Sequence, residues 1–435
     1  MINLIKEFKN LNSGKVNIDS KILILFFILI FLFRFFFVYI SHGNFPIEFS
    51  WHYLLTLNKF KINDLSSLIQ HDENAQFQFF TDLLALILFK VAGNIWDARL
   101  NTSLIQIIPS VYITIIIFLL FYKKKIPLFI VILIFIFSIS FGSQNNIKHF
   151  TESHFYFQIL FFSIGLLFLK KKVILIKDFI FIISLLLFSS LNMEKASFIN
   201  YFAYLIILLT RFFFEKNKLF LYYFFILLFF TVLTYFFILS LNVPSFSADP
   251  YYTFSYYKFL KANIKILLHQ NSIFFLIFLI FFLLTLKNKN YFKFYKNNRL
   301  FIFILIWCFI LGLATSFSRG GVYNRYKDFI QIYGFLTFYL MINMNFLNYK
   351  LLFFLRSILL ITCLFLFLNN LSKIINFYNF SKNNDNAVIN LLKDYVAIGN
   401  KNLEFKNKNL KLFGDLHRFQ YNIYISYENK LINFF

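Results

Sequence analysis

Arg319, Arg325, Lys327 and Asp328 crowd into the short segment 318–328. Planar guanidinium forks match the oxygens of a phosphate, so the segment reads either as a phosphate site or as a surface loop whose cations pair with Asp328. A second polar concentration lies in 42–101, where Glu48 precedes Trp51 and His52, and where His71, Asp72 and Glu73 stand in a row. Carboxylates of this kind can carry proton transfer once a partly desolvated cleft lifts their pKa. Their structural alternatives are plain: Asp72 as a helix cap, Glu73 as a first-turn acid favoured by the helix dipole, Glu48 as a solvated loop acid.

Long apolar runs position these groups. The first spans 21–41, close to the roughly 20 residues that about 30 Å of hydrocarbon requires, and further runs fall at about 104–122, 126–141, 155–169, 179–196, 197–210, 219–241, 272–286, 300–317, 329–343 and 351–371. Threaded alternately, they predict an all-α polytopic membrane protein with about 11 transmembrane helices. Lys6, Lys9, Lys15 and Lys21 precede the first run, and Lys123–Lys125, Lys170–Lys172, Arg211/Lys216/Lys218, Lys287–Arg299 and Lys350 fall in alternate loops. The positive-inside bias therefore predicts a cytoplasmic N-terminus and an outer C-terminus. On that threading all seven histidines lie outside, as do most acids, either because the outer loops are longer or because the working site faces outward. The cations of 318–328 run against the bias, which favours a local partner such as a phosphate.

The predicted organisation is a cytoplasmic N-terminus over 1–21, a membrane domain over 22–371 whose first outer loop covers 42–103, and an outer tail over 372–435. In the loop, a short helix over 64–69 and an interfacial helix over about 74–91 are expected, the latter apolar yet carrying Gln76, Gln78, Asp82 and Lys90. In the tail, Asn384 or Asp385 is expected to cap a helix over 386–395, and 403–412 alternates as short strands do.

Composition agrees. With 60% apolar residues, 14% charged and a mean hydropathy of +0.69, the chain cannot keep most of its surface in water. The net charge of +24 sits largely on predicted cytoplasmic flanks, where anionic lipid accounts for it, and no nucleic-acid partner is expected. The 71 phenylalanines read as codon bias first and packing second. Cys308 and Cys363 fall in predicted spans, so neither a disulfide frame nor a zinc site is expected. Neither a cleavable leader nor a phosphate-cradling glycine loop is evident.

The order of these features resembles the C-type membrane glycosyltransferases, polytopic enzymes that use polyprenyl-phosphate sugars on the outer face of the membrane, and in particular an uncharacterised bacterial branch. The matching residues are Glu48 ahead of Trp51, the run His71-Asp72-Glu73-Asn74, the turn Gly93-Asn94-Ile95-Trp96 with Arg99, a Gln158-containing segment, and Asn324-Arg325-Tyr326. Phe49 and Ser50 stand where the family usually places acids before the tryptophan. The resemblance implies transfer of a hexosyl or pentosyl group from the carrier to an envelope glycan, lipid or protein in the bacterial cytoplasmic membrane. Glu48 would act as base, with Asp72 and Glu73 as substitutes. Arg319, Arg325 and Tyr326 would bind the lipid phosphate, and Trp51, His52, His71 and His154 would contact acceptor or sugar. A divalent ion is an open question on this reading. Two rivals stay open: a surface-polysaccharide polymerase or ligase, faintly matched by Ser316-Phe317-Ser318-Arg319-Gly320-Gly321, and a transporter of lipid-linked sugar, which would place ionisable groups near the bilayer midplane.

Overall fold

The computed structural model describes residues 17–18, 20–47, 50–59, 79–121, 126–128, 131–132, 154–192, 194–240, 257, 295–296, 299–300, 302–307, 310, 349–397 and 423–432. Nearly all of these are helical. The elements are α1 (Ser20–Ser41), α2 (Ser50–Lys59), α3 (Phe79–Val91), α4 (Ala98–Ile105), α5 (Ile107–Phe121), α6 (His154–Leu169), α7 (Ile176–Asn192), α8 (Glu194–Glu215), α9 (Lys218–Ser240) and α10 (Tyr349–Ala397). One antiparallel pairing joins β1 (Asn17–Ile18) to β2 (Ile126–Pro127).

Three described helices contain stretches long and apolar enough to cross a membrane: Ser197–Glu215 in α8, Lys218–Ile238 in α9 and Arg356–Ala397 in α10. Their packing is inside-out relative to a water-soluble bundle. On α9 the residues Phe225, Phe229, Val232 and Phe236, at the i, i+4, i+7, i+11 spacing of one helical face, are all exposed. On α1 the buried stripe Ile30, Arg34, Val38 and Ser41 is more polar than the exposed Leu25, Ile28, Leu32 and Phe36. An outward apolar surface of this extent calls for lipid.

The alternation of basic loops has a structural counterpart. Lys170 Nζ donates to Leu119 O at the end of α5 (2.6 Å), Arg211 Nη1 and Nη2 donate to Leu169 O and Lys172 O after α6 (2.8 and 2.9 Å), and Tyr223 OH donates to Ile174 O (3.1 Å). The ends of α5, α6 and α8 and the starts of α7 and α9 therefore share one end of the bundle. The β1–β2 pairing brings the segment before α1 to that same end, because β2 follows α5. The first loop leaves α1 at the opposite end.

Several expected boundaries change. The run 104–122 is split at Gln106 into α4 and α5, since Pro109 has no N–H to bond to Ile105 O and a continuous helix cannot form across it. Arg211, expected in a loop, lies inside α8, which runs on to Glu215. The run 351–371 and the separate helix over 386–395 are one element: α10 continues through Ser372 to Ala397, with no proline or glycine to stop it. At 1.5 Å per residue it is about 73 Å long, more than twice a hydrocarbon core. Asp385 therefore stands mid-helix and caps nothing. α3 is described over Phe79–Val91, inside the expected interfacial helix of about 74–91, whose first residues lie outside the described ones. α2 was not expected, although Trp51, Leu54 and Leu57 carry its periodicity. The expected helix over 64–69, the runs 272–286 and 329–343, the strands over 403–412, and most of 126–141 and 300–317 lie outside the described residues.

Candidate functional site

The first loop is built into the bundle from its opening residues. Ser41 Oγ donates to Val38 O (3.0 Å) and closes α1. The next residues are held by α10: Asp385 Oδ2 accepts the Asn44 N–H at 2.7 Å, Oδ1 accepts the Phe45 N–H at 3.2 Å, and Asn384 Nδ2 donates to Pro46 O at 3.4 Å. Gly43 permits this approach, because a Cβ there would stand 2.4 Å from Asp385 Oδ1. Below it, Val38, Ile47 and Phe377 form a small apolar cluster, and the His42 ring meets Phe377 edge-on, centroids 5.0 Å apart.

The chain then turns inward. Phe45 stacks on Trp51 at 6.3 Å, and Trp51, Leu54 and Leu57 of α2 are fully buried. α3 buries Thr81, Asp82, Ala85, Leu86 and Phe89 on one side, while Phe80 packs against Phe157, Phe161 and Phe188 of α6 and α7. Asp82 is a carboxylate fully withdrawn from solvent. α3 ends in a glycine turn: Gly93 has φ +77° and Asn94 φ +65°, Asn94 N–H bonds to Phe89 O (2.8 Å), and Lys90 Nζ donates to Asn94 Oδ1 (2.8 Å). These are the contacts that close a helix with a left-handed residue. Trp96 N–H then donates to Leu431 O (2.8 Å), which anchors the far C-terminus, and Asp97 caps α4 through the Leu100 N–H (2.8 Å).

Two buried polar groupings lie behind this loop. Arg34 Nη2 of α1 donates to Gln106 Oε1 at 3.0 Å, both residues fully enclosed. In the second, Ser189 Oγ donates to Gln158 Oε1, Gln158 Nε2 to Ser189 O (2.8 Å), Asn200 Nδ2 to Gln158 Oε1 (3.1 Å) and Trp307 Nε1 to Asn200 Oδ1 (2.8 Å). Both amides and the indole are satisfied there, so the network ties α6, α7, α8 and the 302–307 segment together and offers no group to a substrate.

At the basic end, Arg211 makes a bidentate pair with Glu215 (Nε–Oε1 and Nη2–Oε2, both 2.9 Å) and lies over the Phe220 ring at 4.0 Å. Glu215 also accepts from Tyr295 OH (2.9 Å). Asp178, one residue ahead of the predicted run 179–196, bonds Lys171 Nζ at 2.7 Å, and that ammonium holds its carboxyl below the usual carboxylate range. These charges cap helix ends and pair with one another, which is an architectural role.

Of the residues expected to act, the structure places Trp51 in the core beside Phe45. His52 lies on α2 and His154 at the first position of α6, with their backbones alone described. Glu48, His71, Asp72, Glu73, Arg319, Arg325 and Tyr326 lie outside the described residues, although Ile47 and Trp51, flanking Glu48 in the chain, are both buried. Sequence reasoning missed Asp385 as the anchor of the first loop; its signal was an acid one turn before the apolar pattern of Val388, Leu391 and Leu392, read instead as a cap. Among the described residues no three His, Cys, Asp or Glu side chains are grouped to hold a metal ion. No family model, curated protein or solved structure matches the chain.

Proposed function

We propose that the protein transfers a sugar from a polyprenyl-phosphate carrier to an acceptor at the membrane face where its first loop lies, the outer face of a bacterial cytoplasmic membrane. The observation that carries this reading is the construction of that loop: Trp51 is fully buried, α3 buries Asp82, Ala85 and Phe89, and Asp385 fixes the loop's start. A loop seated on the bundle at its start and through α2 and α3 supports a platform for chemistry at the lipid boundary, where a carboxylate in a partly desolvated setting would serve as base.

In the proposed reaction Glu48, with Asp72 or Glu73 as substitute, removes the acceptor hydroxyl proton as that oxygen attacks the anomeric carbon. The bond between the sugar and the carrier phosphate breaks. Arg319 and Arg325, assisted by Tyr326, neutralise the departing phosphate. Trp51 is buried and holds α2 in place; His52, His71 and His154 are assigned to acceptor or sugar.

One observation favours a transporter of lipid-linked sugar. The α4–α5 helix is interrupted at Gln106 beside the buried Arg34, and transporters use discontinuous helices with charged groups at such breaks. Purified protein in proteoliposomes with labelled polyprenyl-phosphate sugars separates the two. Cleavage of the sugar–carrier bond with a new glycosidic product supports transfer, whereas movement of intact carrier between leaflets without cleavage replaces it with transport.

A further inference from the structure

Arg99, Ser103 and Gln106 follow one another at the i, i+4, i+7 spacing of a single helical face along α4 and its end. The buried stripe of α1 meets both α4 and α10: Gln106 Oε1 accepts from Arg34, and one turn further on Val38 packs against Phe377 of α10. Arg99 lies at the other end of the α4 face from Gln106. Ser103 lies between them, fully buried, and on α10 Ser381 stands one turn before Asp385 and is buried as well. The seam of α1, α4 and α10 is therefore lined by polar side chains from all three helices.

What these groups lack is an acceptor. Among the described residues Ser103 Oγ, Ser381 Oγ, Gln106 Nε2 and Arg99 Nε are enclosed with no hydrogen-bond partner, and such groups are rare because each is costly. Asp385 accepts from the Asn44 and Phe45 N–H groups and from none of these four. The unmet groups are donors, from two hydroxyls, an amide and a guanidinium, and the Arg34 guanidinium lies beside them. A phosphate supplies several acceptor oxygens and a negative charge to such a set. On their other faces α1 and α10 expose Leu32, Phe36, Phe365 and Leu368, alongside which acyl chains can lie.

We propose that the α1–α4–α10 seam binds the phosphate headgroup of a membrane lipid, a phosphomonoester of the phosphatidate type. The proposal does not depend on Arg319, Arg325 or sugar transfer.

The test uses purified full-length protein in neutral detergent, titrated with dioleoyl phosphatidate, dioleoylglycerol or inorganic phosphate, with bound lipid counted by native mass spectrometry. Phosphatidate is expected to bind saturably and at least about tenfold more tightly than dioleoylglycerol. The double variant Ser103→Ala, Ser381→Ala is expected to lose about tenfold in phosphatidate affinity without a lower unfolding temperature in the absence of lipid, because each removed hydroxyl was unsatisfied. Arg99→Gln, at a partly exposed position, is expected to show a similar loss. Inorganic phosphate failing to displace phosphatidate supports the lipid assignment; full displacement at millimolar phosphate overturns it in favour of a free-anion site. Equal binding of phosphatidate and dioleoylglycerol, or unchanged phosphatidate binding in the variants, overturns the proposal.

Discussion

Asp385 closes onto Gly43 so tightly that a Cβ on the glycine would stand 2.4 Å from the carboxylate. The contact joins the first loop to the last described long helix across almost the whole chain. Asp385→Ala leaves the N–H groups of Asn44 and Phe45 without their acceptor, at about 1–3 kcal/mol for the buried Phe45 group and less for the exposed Asn44. Gly43→Ala is expected to push the loop off α10 even with Asp385 intact. Thermal unfolding in detergent should place both variants below wild type, and a Gly43→Ala protein of wild-type stability would mean that the contact is not made.

Arg211 and Glu215 form the main ion pair of the basic end. Arg211 is fully buried while Glu215 is 19% exposed, so Glu215→Ala is expected to cost about 2–3 kcal/mol, somewhat below the loss from a wholly enclosed pair. Replacing Arg211 with Met in the same protein should recover part of that loss, since the guanidinium is then no longer stranded. A double-mutant cycle on unfolding stability reads the coupling, and strict additivity would show that the pair contributes nothing.

Asn200 joins three partners: Gln158, Ser189 and Trp307. Asn200→Leu keeps the volume but takes the acceptor from the Trp307 indole N–H and one of two donors from Gln158 Oε1, which keeps Ser189, at an expected cost of about 1–3 kcal/mol. Thermal unfolding measures this directly, and a loss under about 0.5 kcal/mol would show that the network can rearrange around the gap.

Much of the bundle was legible because its signals are local. The boundaries of α6 and α9 follow from apolar runs ended by lysines, and the Gly93–Asn94 turn from its glycine. What stayed hidden depends on partners distant in the chain. Arg211 reads as one more positive flank until Leu169, Lys172 and Glu215 are seen around it. Asp385 reads as a cap because an acid before an apolar helical pattern normally is one, and the backbone of Asn44 and Phe45 that it serves lies some 340 positions away. The α4–α5 break was masked by an unbroken hydropathy, although Pro109 gave its position. Asn200 and Trp307 carry no pattern at all; their pairing exists in three dimensions alone.

The sidedness of the bundle yields a direct expectation. Cysteine labelling at Lys124, Lys171 and Lys289 should succeed from the cytoplasmic side alone, and sites at Asn74 and Asn400 from the outside alone. Labelling of Lys171 from outside would reverse the proposed orientation.

The central claim is sugar transfer by a carboxylate of the first loop, and the most direct measurement is the transfer rate of Glu48→Gln in lipid with a panel of polyprenyl-phosphate sugars. Glutamine keeps the shape and most hydrogen bonds of glutamate but cannot take up the acceptor proton, so product formation should fall by about 10²- to 10⁴-fold while expression and carrier binding persist. Full activity in Glu48→Gln would shift the role to Asp72 or Glu73. Full activity after replacing all three, or no glycosidic product from wild type with any donor in the panel, would contradict the account.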